Sequence, residues 1–162
     1  SALVIADIAP IDYSKGYREA SISQHRSIIE AMINLPLSTI KSRSEAEIIL
    51  SEKIDDYKTI RFLLKNLERD TAGFRWRLNL PVLKQYLPEI SSGIDSLNFN
   101  PVTSFPVLCL KGSESNYVTI EGEKALKSIF PFIKIETIPN SGHWLHAEQP
   151  QIFFEKVIEF LH

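Results

Sequence analysis

"PVLCLKGSESNYVTIEGEKALKSIFPFIKIETIPNSGHWLHAEQPQIFFEKVIEFL", Pro106 to Leu161, is the stretch whose reading decides the fold class. Its opening PVLCLKG is a continuous apolar run ended by Gly112, the pattern of a strand covered on both faces. TIEGEKALKSIF, from Thr119, reads as a helix. FIKIETIP, from Phe132, alternates with a period of two and places Ile133, Ile135 and Thr137 on one side. PQIFFEKVIEFL sets Ile152, Phe153, Lys156, Val157 and Phe160 along one helical stripe. Strand, helix, strand, helix in this order predicts an α/β architecture of parallel strands joined by right-handed crossovers.

Working outward, LVIADIAP (Leu3 to Pro10) predicts a further short buried strand ended by proline. A different grammar lies between the two. REASISQHRSIIEAMINL places Ile22, His25, Ile28, Ile29, Met32 and Ile33 at helical spacing, and Pro36 ends it. SRSEAEIILSEKI predicts a second helix with Ser44 near its N-cap. DDYKTIRFLLKNLER aligns Tyr57, Ile60, Leu63, Leu64 and Leu67 on one face of a third. GFRWRLN alternates, and PVLKQYLPEI predicts a short helix with Pro81 in its first turn. The expected organisation is a core strand and loop over 1–13, a helical insertion over 14–97, and an α/β core segment over 98–162. The first strand starts at Ser1 with no approach segment, which raises the expectation that a part of the fold precedes it.

Composition narrows the function classes. Among 162 residues, 44% are apolar and 23% charged, as in ordinary globular domains. A net charge of −2 offers no basic footprint for nucleic acid or an anionic membrane. No apolar run approaches the roughly 20 residues of a membrane span. The single cysteine, Cys109, has no internal disulfide partner. The expected location is cytoplasmic or, in a eukaryote, mitochondrial.

NSGHWLHAEQP, Asn140 to Pro150, holds His143 and His146 three residues apart. Zinc would need at least one further ligand, and the spacing is not the i, i+4 pair of helical zinc motifs, so no metal is expected. Two readings remain: hydrogen-bonded loop histidines, or a general base. Position favours the base, because the loop follows the last strand, and catalytic groups of α/β folds gather beyond the carboxyl ends of the strands. His143, directly after Gly142, is the candidate; His146 is expected to bond Glu148 within the loop. Asp7 ends the first strand. It is either the cap of a turn or the carboxylate that orients the histidine and stabilises its imidazolium.

These residues carry a resemblance. LVIADIAPIDY, FRWRLNLPVL, PVLCLKGSESNYV and IPNSGHWLHAEQPQIF resemble the C-terminal half of α/β-hydrolase-fold esterases, in particular the small bacterial acyl-ester esterases and the α/β-hydrolase domain-containing protein 11 group. The resemblance implies a parallel sheet interrupted by a helical cap that roofs the active site. It also implies a serine hydrolase cleaving carboxylic ester or thioester bonds without a cofactor, with the acid preceding the base in sequence. Many such hydrolases hold the acid three residues after the glycine corresponding to Gly112; here Ser115 stands there and cannot carry charge. In the subgroup resembled here the acid lies after the earlier strand, in the DIAP segment, so the resemblance implies Asp7 as the acid, in preference to Glu114. Trp76 and Arg77 of the cap, with Tyr117 and Trp144, are the candidate substrate-binding residues, each with a packing role as the alternative. His25, on an apolar helix face, is expected to be a core histidine.

One element of the pattern is missing: no G-x-S-x-G occurs in the chain. The nucleophile and the oxyanion donors are then expected in a missing N-terminal half of the same fold. This chain would carry acid and base only and be inactive by itself. The alternative is a non-catalytic α/β binding module or remnant.

Overall fold

In the computed structural model, which describes residues 1–15, 19–94 and 100–162, the chain divides into two compact units. One comprises residues 1–12 and 93–162, the other 13–92. The predicted boundary at residue 97 and the predicted helix start at Arg18 lie outside the described residues. The first unit carries a parallel sheet with helices.

Strands β1 (Leu3–Ala6), β4 (Val107–Gly112) and β5 (Lys134–Ile138) form a three-stranded parallel sheet in the order β1-β4-β5. Leu3 pairs with Val107 and Ala6 with Leu110; on the other side Leu108 pairs with Lys134 and Gly112 with Ile138. β4 is flanked on both edges, and Val107 to Leu110 are all buried. β1 is less covered than its apolar run predicts. Leu3 to Ile5 are half-buried and Ala6 is exposed, because among the described residues β1 has a strand neighbour on one side only.

Helix α6 (Ile120–Ile129) supplies the crossover between β4 and β5, capped by Thr119, whose hydroxyl accepts from Gly122 N. A Cβ on Gly122 would lie 2.8 Å from Ala9 Cβ, so only glycine lets α6 approach the segment after β1 this closely. Helix α8 (Pro150–Leu161) lays Ile152, Phe153, Val157 and Phe160 over a core of Leu108, Leu110, Ile138 and Leu145, which is the stripe expected from its spacing. β5 departs from expectation. The register with β4 turns Ile138 into that core and Glu136 toward Lys156, whereas Thr137 is exposed and Ile133 and Ile135 are only half-buried. Ile138, on the opposite parity, is the buried residue of the strand.

The second unit contains α1 (Glu19–Ile33), α2 (Arg43–Ser51), α3 (Tyr57–Leu64), the hairpin β2 (Leu67–Asp70) and β3 (Gly73–Trp76), and the short helices α4 (Leu80–Gln85) and α5 (Leu87–Ser91). Its core joins Leu35, Ile40, Ala46, Leu50, Ile54, Ile60, Leu64, Leu67 and Phe74. Ser42, not Ser44, caps α2 by accepting from Glu45 N, and Asp56 caps α3 through Lys58 N and Thr59 N. The third helix stops at Leu64, short of the predicted Arg69. Leu67 is buried in β2 opposite Trp76, because pairing with β3 competes successfully with helical continuation. Tyr57 and His25 are exposed, against the expectation that both lie on buried helix faces. No helix among the described residues is long and apolar enough to cross a membrane.

Candidate active site

The carboxyl ends of β1, β4 and β5 each release a loop, and these loops bring the chemistry together. Asp7 is the first residue after β1. Its N–H still bonds Leu110 O at 2.8 Å, and its backbone then turns into the left-handed region at φ 48°. Aspartate tolerates that conformation better than most residues. The turn delivers a wholly buried carboxylate to the end of β4. There it is saturated with donors. Oδ1 accepts from Gly112 N at 3.1 Å; Oδ2 accepts from the Ser115 hydroxyl and lies 2.9 Å from His143 Nδ1. A buried carboxylate is costly unless it is paired and hydrogen-bonded, and these partners meet that requirement.

Ser115 stands in the turn after β4, held by its N–H to Gly112 O, and its Oγ accepts from Tyr117 N at 3.1 Å. The position has no charge, as read from the sequence, yet its hydroxyl donates to the Asp7 carboxylate. That role was missed. The signal was present: a hydroxyl at the site where other hydrolases place the carboxylate is within reach of a carboxylate arriving from the neighbouring strand.

The loop after β5 is built as firmly. Gly112 abuts Ser141 O and Gly142 O so closely that any Cβ there would collide with backbone. Asn140 takes a positive φ of 51°, and Ser141 is buried with its hydroxyl on Ile138 O. His143 follows, flanked by two peptide N–H groups that the Glu148 carboxylate accepts, Gly142 N at 2.9 Å and Trp144 N at 3.3 Å. Leu145, wholly buried, anchors the one-turn helix α7 (Leu145–Glu148) in the core below. Glu148 thus ties the loop through peptide groups, not through His146 as predicted. The exposed His146 ring meets Phe153 edge-on at 6.2 Å.

With Nδ1 bonded to a carboxylate, the neutral imidazole carries its proton on Nδ1 and keeps the Nε2 lone pair. The side chain is 39% exposed, so that lone pair belongs to a reachable base. Tyr117 stacks on the same ring, with centroids 3.8 Å apart and planes inclined by 14°. Glu114 is exposed and engages Ser141 O through its backbone N–H. Cys109 lies buried in β4, and burial, reinforced by the Asp7 charge, pushes its thiol up to about 12, which leaves it inert as a nucleophile at neutral pH. Among the described residues no cluster of three His, Cys, Asp or Glu side chains could hold a metal ion.

The structure therefore brings Asp7, His143 and Tyr117 together and adds Ser115. Trp144, next to His143 in sequence, is half-buried. Trp76 and Arg77 belong to the other unit and have partners there: the Trp76 indole donates to Met32 O at 2.9 Å, and Arg77 Nε sits 3.2 Å from the Glu68 carboxylate.

Comparison with known proteins adds the wider frame. No family model matches the chain. It is 33% identical over 159 residues to the sn-1-specific diacylglycerol lipase ABHD11 of Mus musculus, covering 98% of this chain and 50% of that protein. It is 30% identical over 159 residues to esterase YbfF of Escherichia coli, covering 98% and 57%. Among solved structures, a marine microorganism esterase superposes with a TM-score of 0.89 at 38% identity, covering 99% of this chain and 60% of that one. The chain spans about half the length of the curated relatives it matches. It corresponds to the C-terminal portion of esterases with the α/β-hydrolase fold, and it has the fold of that portion.

Proposed function

We propose that this chain is the acid-and-base portion of a serine hydrolase that cleaves carboxylic ester or thioester bonds. The observation that carries the proposal is the 2.9 Å approach of His143 Nδ1 to a buried, otherwise saturated Asp7 carboxylate at the carboxyl edge of a parallel sheet. The relatives named as esterases and lipases support the ester chemistry. Their greater length and the absence of G-x-S-x-G here support a nucleophile on another part of the same fold.

In this reading Nε2 of His143 takes the proton of the serine hydroxyl as its oxygen attacks the acyl carbon. Asp7 holds Nδ1–H and stabilises the imidazolium that forms. Collapse of the tetrahedral adduct sends that proton to the departing alcohol or thiol. Water, deprotonated by the same Nε2, then releases the acid and restores the serine. Ser115 and Gly112 N hold the acid in place.

The test is labelling of the full-length protein that contains this chain with a fluorophosphonate probe. The expected result is stoichiometric labelling on one serine outside residues 1–162, lost in His143→Ala. The 162-residue chain alone should neither label nor turn over p-nitrophenyl acetate. Absence of labelling in the folded full-length protein would refute the assignment and favour a non-catalytic binding module.

A further inference from the structure

We infer that Tyr117 is a positioning residue for the base, not a wall of the substrate pocket; the inference rests on the serine-hydrolase reading of Asp7 and His143. One hydrogen bond from Nδ1 to Asp7 Oδ2 fixes a point on the imidazole, not its plane. The ring can still tilt about that bond and carry Nε2 away from its target, and partial exposure gives little packing to prevent it. The phenol ring of Tyr117, 3.8 Å away and within 14° of parallel, removes that freedom. The face it turns to His143 is closed to any substrate.

Tyr117 is itself held. Its N–H donates to Ser115 Oγ at 3.1 Å, Ser115 Oγ donates to Asp7 Oδ2, and the same oxygen faces His143 Nδ1. The ring stack closes this circuit, so acid, base and clamp share one geometry. Immediately downstream Val118 is buried and Thr119 caps α6, which anchors the Tyr117 backbone to the sheet layer. The electron-rich face of a phenol also favours a cation above it. The clamp therefore acts most strongly when His143 becomes imidazolium, the state through which the reaction passes.

Two measurements on the full-length protein separate this from a substrate-contact or merely structural role. The first is the NMR shift of the His143 Hε1 proton in the unsubstituted protein, Tyr117→Phe and Tyr117→Leu. Ring current should move it upfield in the first two and release it in the third. The second is hydrolysis of p-nitrophenyl acetate. Tyr117→Phe should stay within about twofold of the parent, whereas Tyr117→Leu should lose about 3- to 10-fold in kcat at nearly constant KM. No upfield shift in the unsubstituted protein overturns the inference, even if Tyr117→Leu fails to fold. So does a Tyr117→Leu variant that raises KM alone, or a Tyr117→Phe variant as damaged as Tyr117→Leu. A parent that shows the shift but hydrolyses no ester sinks the hydrolase reading, and with it a role for the stack in catalysis.

Discussion

Asp7→Asn is the perturbation that tests the site most directly. The substitution keeps volume and backbone, and asparagine also tolerates the φ of 48° found here. What changes is the donor count. Asp7 accepts from three donors, Gly112 N, Ser115 Oγ and His143 Nδ1. An amide offers one oxygen and one NH2. If the oxygen stays on Gly112 N, the NH2 faces Ser115 and His143. His143 must then present an Nδ1 lone pair, which moves its proton to Nε2, and the ring can no longer accept a proton from a nucleophile. Wrong-tautomer losses of this kind reach about 10⁴-fold in the chymotrypsin-type triad. The Ser115 hydroxyl can rotate to accept from the amide, so we expect a loss nearer 10³-fold, about 4 kcal/mol of transition-state stabilisation at ~1.4 kcal/mol per decade. Melting temperature should fall by much less than this implies, because the weakened hydrogen bonds contribute about 1–3 kcal/mol to folding. The assay is kcat for p-nitrophenyl acetate in the full-length protein, beside thermal denaturation and with Glu114→Gln as control. If Asp7→Asn keeps kcat within about tenfold of the parent while Glu114→Gln loses more, the acid has been misassigned.

The remaining predictions concern the base, its loop, the second unit and the chain itself. His143→Ala should cost about 10³-fold or more in kcat, and His146→Ala, which loses the edge-on contact with Phe153, should lower stability by about 1 kcal/mol with kcat intact; steady-state kinetics and melting curves decide both. Glu148→Ala frees Gly142 N and Trp144 N, so kcat should fall while KM holds, with about 1 kcal/mol of stability lost to chemical denaturation. Asp56→Ala removes the α3 cap and should cost about 1 kcal/mol. The Thr59 hydroxyl holds the Asp56 carboxyl below its usual range, so the cap's contribution is full above the unfolded value of 3.8 and fades as pH falls through the folded one; equal destabilisation at pH 7 and pH 2.5 contradicts it. The isolated chain, with β1 paired on one edge among its described residues, should associate as concentration rises, which light scattering would reveal.

What the sequence by itself determined is what local periodicity can encode. The run Val107 to Leu110 is apolar at every position, which specifies a strand covered on both faces, and the stripe on α8 specifies which side meets the sheet. The order of these elements then leaves parallel pairing as the topology, and that places Asp7 and His143 at the same sheet edge before any coordinate is known. Tertiary structure decided the rest, because those choices depend on partners remote in sequence. Leu67 continues the helical face of α3 by spacing, yet it is claimed by Trp76 across a hairpin. In β5, register against β4 rather than hydropathy selects Ile138 over Ile135 for the core. Ser115 looked like a lost carboxylate until Asp7, 108 residues away in sequence, came within reach of its hydroxyl. The stack of Tyr117 on His143 belongs to the same class. Periodicity along the chain reports how much each side chain is buried; only the assembled sheet determines which side chain it faces.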